Sequence, residues 1–173
     1  MKERKLYSVS IKCYILNIQE ESMNHRIEEL ESFKVLGRSF LIETKNAFVE
    51  IPKIWKQVKK DGTLAKLISE LSIDKPQGVL GIAANGKWGK SEKMKYIVGT
   101  NSTKPSFEDW EVLQFSKATW VVFNVDKKAF VRKTYEYFYS QWLPSTSYQL
   151  DDLPVIESYP KDGTVEIWFA IKE

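Results

Sequence analysis

Glu166 and Trp168 stand two residues apart in the closing stretch VEIWFAIKE, Val165 to Glu173. Side chains alternate along a strand, so Val165, Ile167, Phe169 and Ile171 share one face, and Glu166, Trp168 and Ala170 share the other. An antiparallel sheet can leave one face in water, where a carboxylate is simply solvated. The neighbouring indole argues against open solvent, because a large exposed apolar ring is costly there. If both residues face a concavity, the acid loses its water and needs a cation or a set of donors instead, since an uncompensated carboxylate costs several kcal/mol. Aromatic faces also attract cations, by roughly 0.5–2 kcal/mol each. An acid among rings is therefore chemistry suited to a lipophilic cation.

Composition agrees without deciding. Six Trp, eight Tyr and nine Phe make 13% of the 173 residues, which fits either an aromatic-lined cavity or an aromatic-rich core. The formal net charge of +3 comes from 26 basic and 23 acidic residues mixed along the chain, with one basic cluster in MKERKLYSVSIK at the start. That pattern gives no electrostatic footprint for nucleic acid. The single cysteine, Cys13, excludes an intramolecular disulfide, and with only one histidine, His25, soft ligands are too few for a conventional zinc site. No metal and no cofactor are expected. A His25–Cys13 catalytic pair would fall in a lead-in segment and is not favoured. With no apolar run of membrane-span length and no leader pattern after the charged start, no membrane role is expected, and the expected compartment is the cytoplasm.

The elements that would position these residues come twice in the same order. A strand over Phe33–Ile42 precedes a helix starting near Glu50-Ile51-Pro52, whose stripe of Ile51, Ile54, Trp55 and Val58 continues through Leu64, Leu67, Ile68 and Leu71. Asp61-Gly62 should kink or split that helix. Two short strands follow, Gly78–Ala84 and Lys95–Thr100, joined by the turn-rich Asn85–Lys90, and 101–109 links the halves. The second half repeats this with strands Trp110–Phe115 and Thr119–Val125 and a helix from about Lys128 to Leu143, capped by Asp126 and stopped by Pro144. Two last strands, Val155–Tyr159 and Val165–Lys172, flank a hairpin turn over Pro160–Gly163. The expected fold is α+β: two tandem strand–helix–strand–strand repeats forming a mixed, mostly antiparallel sheet, with two helices on one side and a groove between them.

The stretch AFVRKTYEYFYSQWLPSTSYQLDDLPVIESYPKDGTVEIWFAIKE resembles the C-terminal half of GyrI-like small-molecule-binding domains, the effector-binding domains of AraC-type and multidrug-sensing activators. RIEELESFKVLGRSF, near Arg26–Phe40, resembles their start. The likeness spans about residues 24–172, and the helix ending in WLP and the closing EIW strand are its most specific parts; Ala170 stands where the family often has proline. It implies that Glu166 sits at a pocket floor with Trp168 beside it. It also implies walls from the two helices and the central strands, which on this chain assigns Trp55, Tyr96, Trp120, and Tyr135 or Tyr139. Trp55 could equally pack the core with Ile51, Ile54 and Val58, Tyr96 could be a half-buried strand tyrosine, and Tyr135 and Tyr139 lie off the main helical stripe.

The implied division is a lead-in, 1–23, too short to hold a helix-turn-helix, and an effector-binding domain, 24–173, so direct reading of DNA is not expected. The leading expectation is a stand-alone protein that binds a small lipophilic, cationic molecule. Two alternatives are a hydrolase of electrophilic small molecules with Glu166 as its acid, and a gyrase-inhibitor-like protein acting through a protein partner. A weak homodimer is also left open. A lone acid among rings suits binding better than turnover, which needs a second polar group to orient water.

Overall fold

The computed structural model describes residues 23–84, 92–103, 109–125 and 131–173. The turn at 85–90, the Asp126 cap, the first residues of the second helix and Cys13 lie outside them. Among the described residues nine strands form one sheet: β1 (His25–Leu30), β2 (Phe33–Glu43), β3 (Val79–Ala84), β4 (Lys93–Asn101), β5 (Glu111–Phe115), β6 (Ala118–Val125), β7 (Gln149–Leu150), β8 (Val155–Tyr159) and β9 (Val165–Lys172). Their order is β1-β6-β9-β8-β3-β4-β2-β5, with short β7 beside β9, and every pairing is antiparallel. The two halves, β2-α1-β3-β4 with α1 over Ala47–Lys60 and β6-α3-β8-β9 with α3 over Val131–Tyr137, have the same internal order and meet where β3 pairs β8. The expected tandem repeat is therefore present, and β3–β8 is its seam.

Helix α1 (Ala47–Lys60) starts a turn earlier than its proline suggests. Pro52 lies inside it, where it removes only the N–H that would reach the carbonyl of exposed Phe48. Gly62, at φ 85°, breaks the helix and starts α2 (Thr63–Ser69). Helix α3 (Val131–Tyr137) widens into a π-helical turn over Phe138–Trp142 and tightens through Leu143–Ser145. Among the described residues no helix is long and apolar enough to cross a membrane.

Each face of the sheet carries a buried core. On the helix side, Ile42, Ile54, Val58, Leu67, Met94 and Val98 form the first half's core. Val121, Phe123, Phe138, Ile167 and Phe169 form the second's. The other face is closed by the chain's connectivity. β1 leads into β2, and β5 into β6, through two residues each, yet β1 pairs β6 at one end of the sheet and β5 pairs β2 at the other. Such a connection reaches only about 10 Å, so the sheet must curl until its ends approach. Lys117 Nζ meets Glu31 Oε1 at 2.7 Å between the two turns. Phe33 stacks on Phe115 at 4.7 Å, and Trp120 lies 6.0 Å from Phe115 and 6.4 Å from Trp168, inside the curl.

β1 was not legible as a strand, because four of the six residues of its HRIEEL sequence are polar or charged. It is an edge strand at one end of the sheet, fully paired with β6 over His25–Leu30. His25 belongs to it rather than to a lead-in: it accepts a hydrogen bond from Trp142 Nε1 at 3.1 Å.

Candidate functional site

The expected acid and its tryptophan lie on the face away from the helices, and this corrects the pocket assignment of Glu166, Trp168 and Trp120. The reason is the alternation itself: Val165, Ile167, Phe169 and Ile171 turn to the helices, which forces Glu166, Trp168 and Ala170 into the curl. There Glu166 already has its cation. Arg26 Nη2 is 2.8 Å from Glu166 Oε1, and its guanidinium lies 5.4 Å from the Trp168 ring. Trp168 Nε1 donates to Glu166 Oε2 at 3.1 Å. Arg26 also pairs with Glu28, which Lys75 meets at 2.8 Å. The acid-plus-ring chemistry is thus satisfied within the chain. Trp120 and Trp168 are fully buried core.

A cavity of about 750 Å³ opens instead on the helix side, over the β3–β8 seam. The seam leaves room because β3 presents Val79, Gly81 and Ala83 to this face, small residues between two helix-covered cores. Helix α1 supplies Ile51 and Trp55 to one wall, and α3 supplies Val131 and Tyr135 to the other. Tyr96 from β4 and Glu157 and Tyr159 from β8 complete the floor. Of the seven expected ligand-binding residues, Trp55, Tyr96 and Tyr135 come together here. Tyr139 does not line the cavity: its ring packs on Phe138 at 4.9 Å and Phe169 at 5.9 Å.

Glu157 and Tyr159 are the residues that sequence reasoning missed. Tyr135 donates to Glu157 Oε1 at 3.1 Å, and Tyr159 donates to Oε2 at 2.8 Å. Burial pushes the Glu157 carboxyl above its ordinary range, against the downward pull of the Tyr159 and Tyr135 hydroxyls. Burial, and then the carboxylate, raise the Tyr135 and Tyr159 phenols as well, so both stay protonated donors. The Trp55 ring meets Tyr159 edge-on at 5.2 Å, and its Nε1 donates to the Tyr96 hydroxyl at 3.1 Å. The result is one acid set in four rings, among side chains that are otherwise largely apolar.

Gly81 keeps that floor open. A Cβ there would stand 2.2 Å from the Tyr96 hydroxyl oxygen, too close for the ring to keep its place. Gly81→Ala is expected to displace Tyr96, break its bond to Trp55 and weaken binding of a probe cation about tenfold, roughly the yield of one or two hydrogen bonds. Titration of the folded variant by intrinsic fluorescence checks this.

A second depression, about 470 Å³, lies by the β1–β2 turn and is lined by polar residues such as Lys34, Asp74 and Asn101. Its Lys75 and Asn101 are already engaged, with Glu28 and the Lys75 carbonyl respectively. It presents no comparable buried charge.

Comparison with known proteins agrees with this architecture. The structure of SAV2435 bound to tetraphenylphosphonium superposes with a TM-score of 0.74 at 19% identity, over 87% of this chain and 94% of that one. A putative transcription regulation protein from Staphylococcus aureus MU50 gives 0.69 at 20% identity over 87% and 99%. The integron cassette protein VCH_CASS2, from the mobile metagenome of Vibrio cholerae, gives 0.60 at 15% identity over 86% and 95%. At these identities the likeness establishes a shared fold. No curated protein sequence matches the chain significantly. The profile of integron-associated effector binding proteins matches residues 26–171 of the 173, and the chain belongs to that Cass2 family.

Proposed function

We propose that this effector-binding protein takes a lipophilic organic cation into the β3–β8 cavity, with Glu157 as the counter-charge. The observation that carries this is the placement of one acid, held by Tyr135 and Tyr159, among the rings of Trp55 and Tyr96. Such a carboxylate is costly when alone and favourable once a cation enters, while the rings add cation–π attraction and exclude water. Binding of tetraphenylphosphonium by SAV2435, a protein of the same fold, supports the same ligand class here. Titration with tetraphenylphosphonium, followed by tryptophan fluorescence, tests it. Trp55 lines the cavity, so saturable quenching in the micromolar range is expected, and quenching should be lost in Trp55→Phe if the signal arises there. No saturable response, with no heat of binding by calorimetry, would contradict the proposal.

Binding should depend on pH with a defined sign. The raised Glu157 value means that the empty cavity holds a neutral acid at pH values where an ordinary glutamate is ionised. A cation favours the ionised form, so affinity should climb as pH rises from the ordinary glutamate value of 4.5 and level off above the raised value. In that interval binding releases a proton. Calorimetry in two buffers of different ionisation enthalpy measures this release directly.

The hydrolytic alternative would now use Glu157 rather than Glu166. Glu157 is the one carboxylate among the described lining residues, and both of its oxygens already accept from Tyr135 and Tyr159, so no second acid or base stands beside it to divide proton transfer in turnover. Binding is therefore the better-supported function.

A further inference from the structure

A cavity built for a bare cation would gain nothing from positive charge at its rim, yet this one carries two basic residues, Lys59 and Arg132, against one acid. Their situations differ. Arg132 is already engaged: its Nε meets Glu136 at 2.8 Å, and its guanidinium sits 5.2 Å from the Phe48 ring across the gap between α3 and α1. Lys59 has no ion pair among the described residues. Its position is not incidental. Phe48, Pro52, Trp55 and Lys59 follow one another at helical spacing along the cavity-facing side of α1. Lys59 thus lies about 6 Å, one helical turn, beyond Trp55. The next lining residue after it in sequence is Leu64 of α2, and no second carboxylate among the described lining residues answers its charge.

Resting on the cation-binding proposal above, we infer that the preferred ligand is a zwitterionic amphiphile. Its cationic group faces Glu157, its apolar body lies against Trp55 and Ile51, and its anionic group reaches the Lys59 ammonium. A bare cation uses the floor and leaves Lys59 unmatched at the rim. A zwitterion of suitable length satisfies both ends.

The test uses a matched pair of probes that do not form micelles: benzyltrimethylammonium, and the sulfobetaine in which one methyl is replaced by propanesulfonate. Dissociation constants are measured by calorimetry for the full chain and for Lys59→Gln, Lys59→Arg and Glu157→Gln. In the wild type the sulfobetaine should bind about three- to fivefold more tightly than the simple cation, the yield of a solvent-exposed ion pair. Added salt should erode that ratio. Lys59→Gln should abolish the preference while leaving the simple cation's affinity unchanged or slightly improved, and Lys59→Arg should restore it. Glu157→Gln should weaken both probes. A wild-type ratio at or below one, or a ratio unmoved by Lys59→Gln, overturns the inference while leaving cation binding intact. Binding of neither probe, or binding indifferent to Glu157→Gln, removes the cation-binding proposal and this inference with it.

Discussion

Glu157→Gln is expected to weaken binding of an organic cation by about 10- to 100-fold, while Glu166→Gln leaves it within a factor of two. The first change keeps the shape of the floor and an oxygen to accept one tyrosine hydroxyl, but removes the charge. A charge-assisted contact in a desolvated site contributes about 1.5–3 kcal/mol, which sets the range. The second change removes a carboxylate that faces the opposite side of the sheet and is already paired with Arg26 at 2.8 Å. Stability should move in an informative direction. Because the folded protein holds the Glu157 proton more tightly than the unfolded chain does, wild-type stability falls as pH rises from the unfolded value towards the raised folded one. Glu157→Gln escapes that loss. The variant should be at least as stable as wild type at neutral pH, and equal or inferior to it well below pH 4.5. Parallel thermal melts at two pH values, alongside the titrations, check both parts.

Trp120→Ala is expected to have the second large effect, and on stability rather than binding. Trp120 is fully buried inside the curled sheet, within 6.4 Å of Phe33, Phe115 and Trp168. Truncating a buried tryptophan costs about 3–5 kcal/mol, a large part of a typical domain's total. Trp55→Ala should behave in the opposite manner. Its half-buried ring faces the cavity, so the stability loss should be smaller and the loss of cation affinity larger. Denaturant unfolding of the two variants, with affinity measured on whatever stays folded, separates a core tryptophan from a cavity tryptophan. Among the described residues Trp120 Nε1 has no hydrogen-bond partner. Trp120→Phe should therefore cost much less than Trp120→Ala, since it removes an unsatisfied donor along with part of the ring.

The tandem repeat was readable because helical stripes, strand alternation and turn residues all point the same way in both halves. The final hairpin, Val155–Tyr159 and Val165–Lys172, falls where alternation and Pro160–Gly163 put it. The location of the acid was not readable from one strand, because alternation separates two faces without saying which meets the helices. Placing Glu166 in the groove assumed that the mixed face does. The all-apolar face, Val165 to Ile171, is the one that helices cover, as the burial of Phe138 in the π-helical turn after α3 requires; Phe138 stacks on Phe169 at 3.7 Å.

One further step was available in the sequence. Pairing Ser158 with Glu166 across the hairpin sets Glu157 opposite Ile167, and therefore on the helix face with Tyr159. In PVIESYP both faces mix polar and apolar residues, so β8 gives no such signal alone. The curl was hidden for a different reason. It arises because β1 and β5 each pair with the other half's strand, a long-range exchange with no local sequence mark.

The most direct measurement is a crystal structure of the protein with tetraphenylphosphonium. The phosphorus centre is expected over the β3–β8 seam, within about 6 Å of the Glu157 carboxyl, with phenyl rings against Trp55 and Tyr159. A phosphonium lodged beside Glu166 and Trp168, with Arg26 displaced, would contradict this placement of the site, as would a ligand that leaves the cavity between α1 and α3 empty.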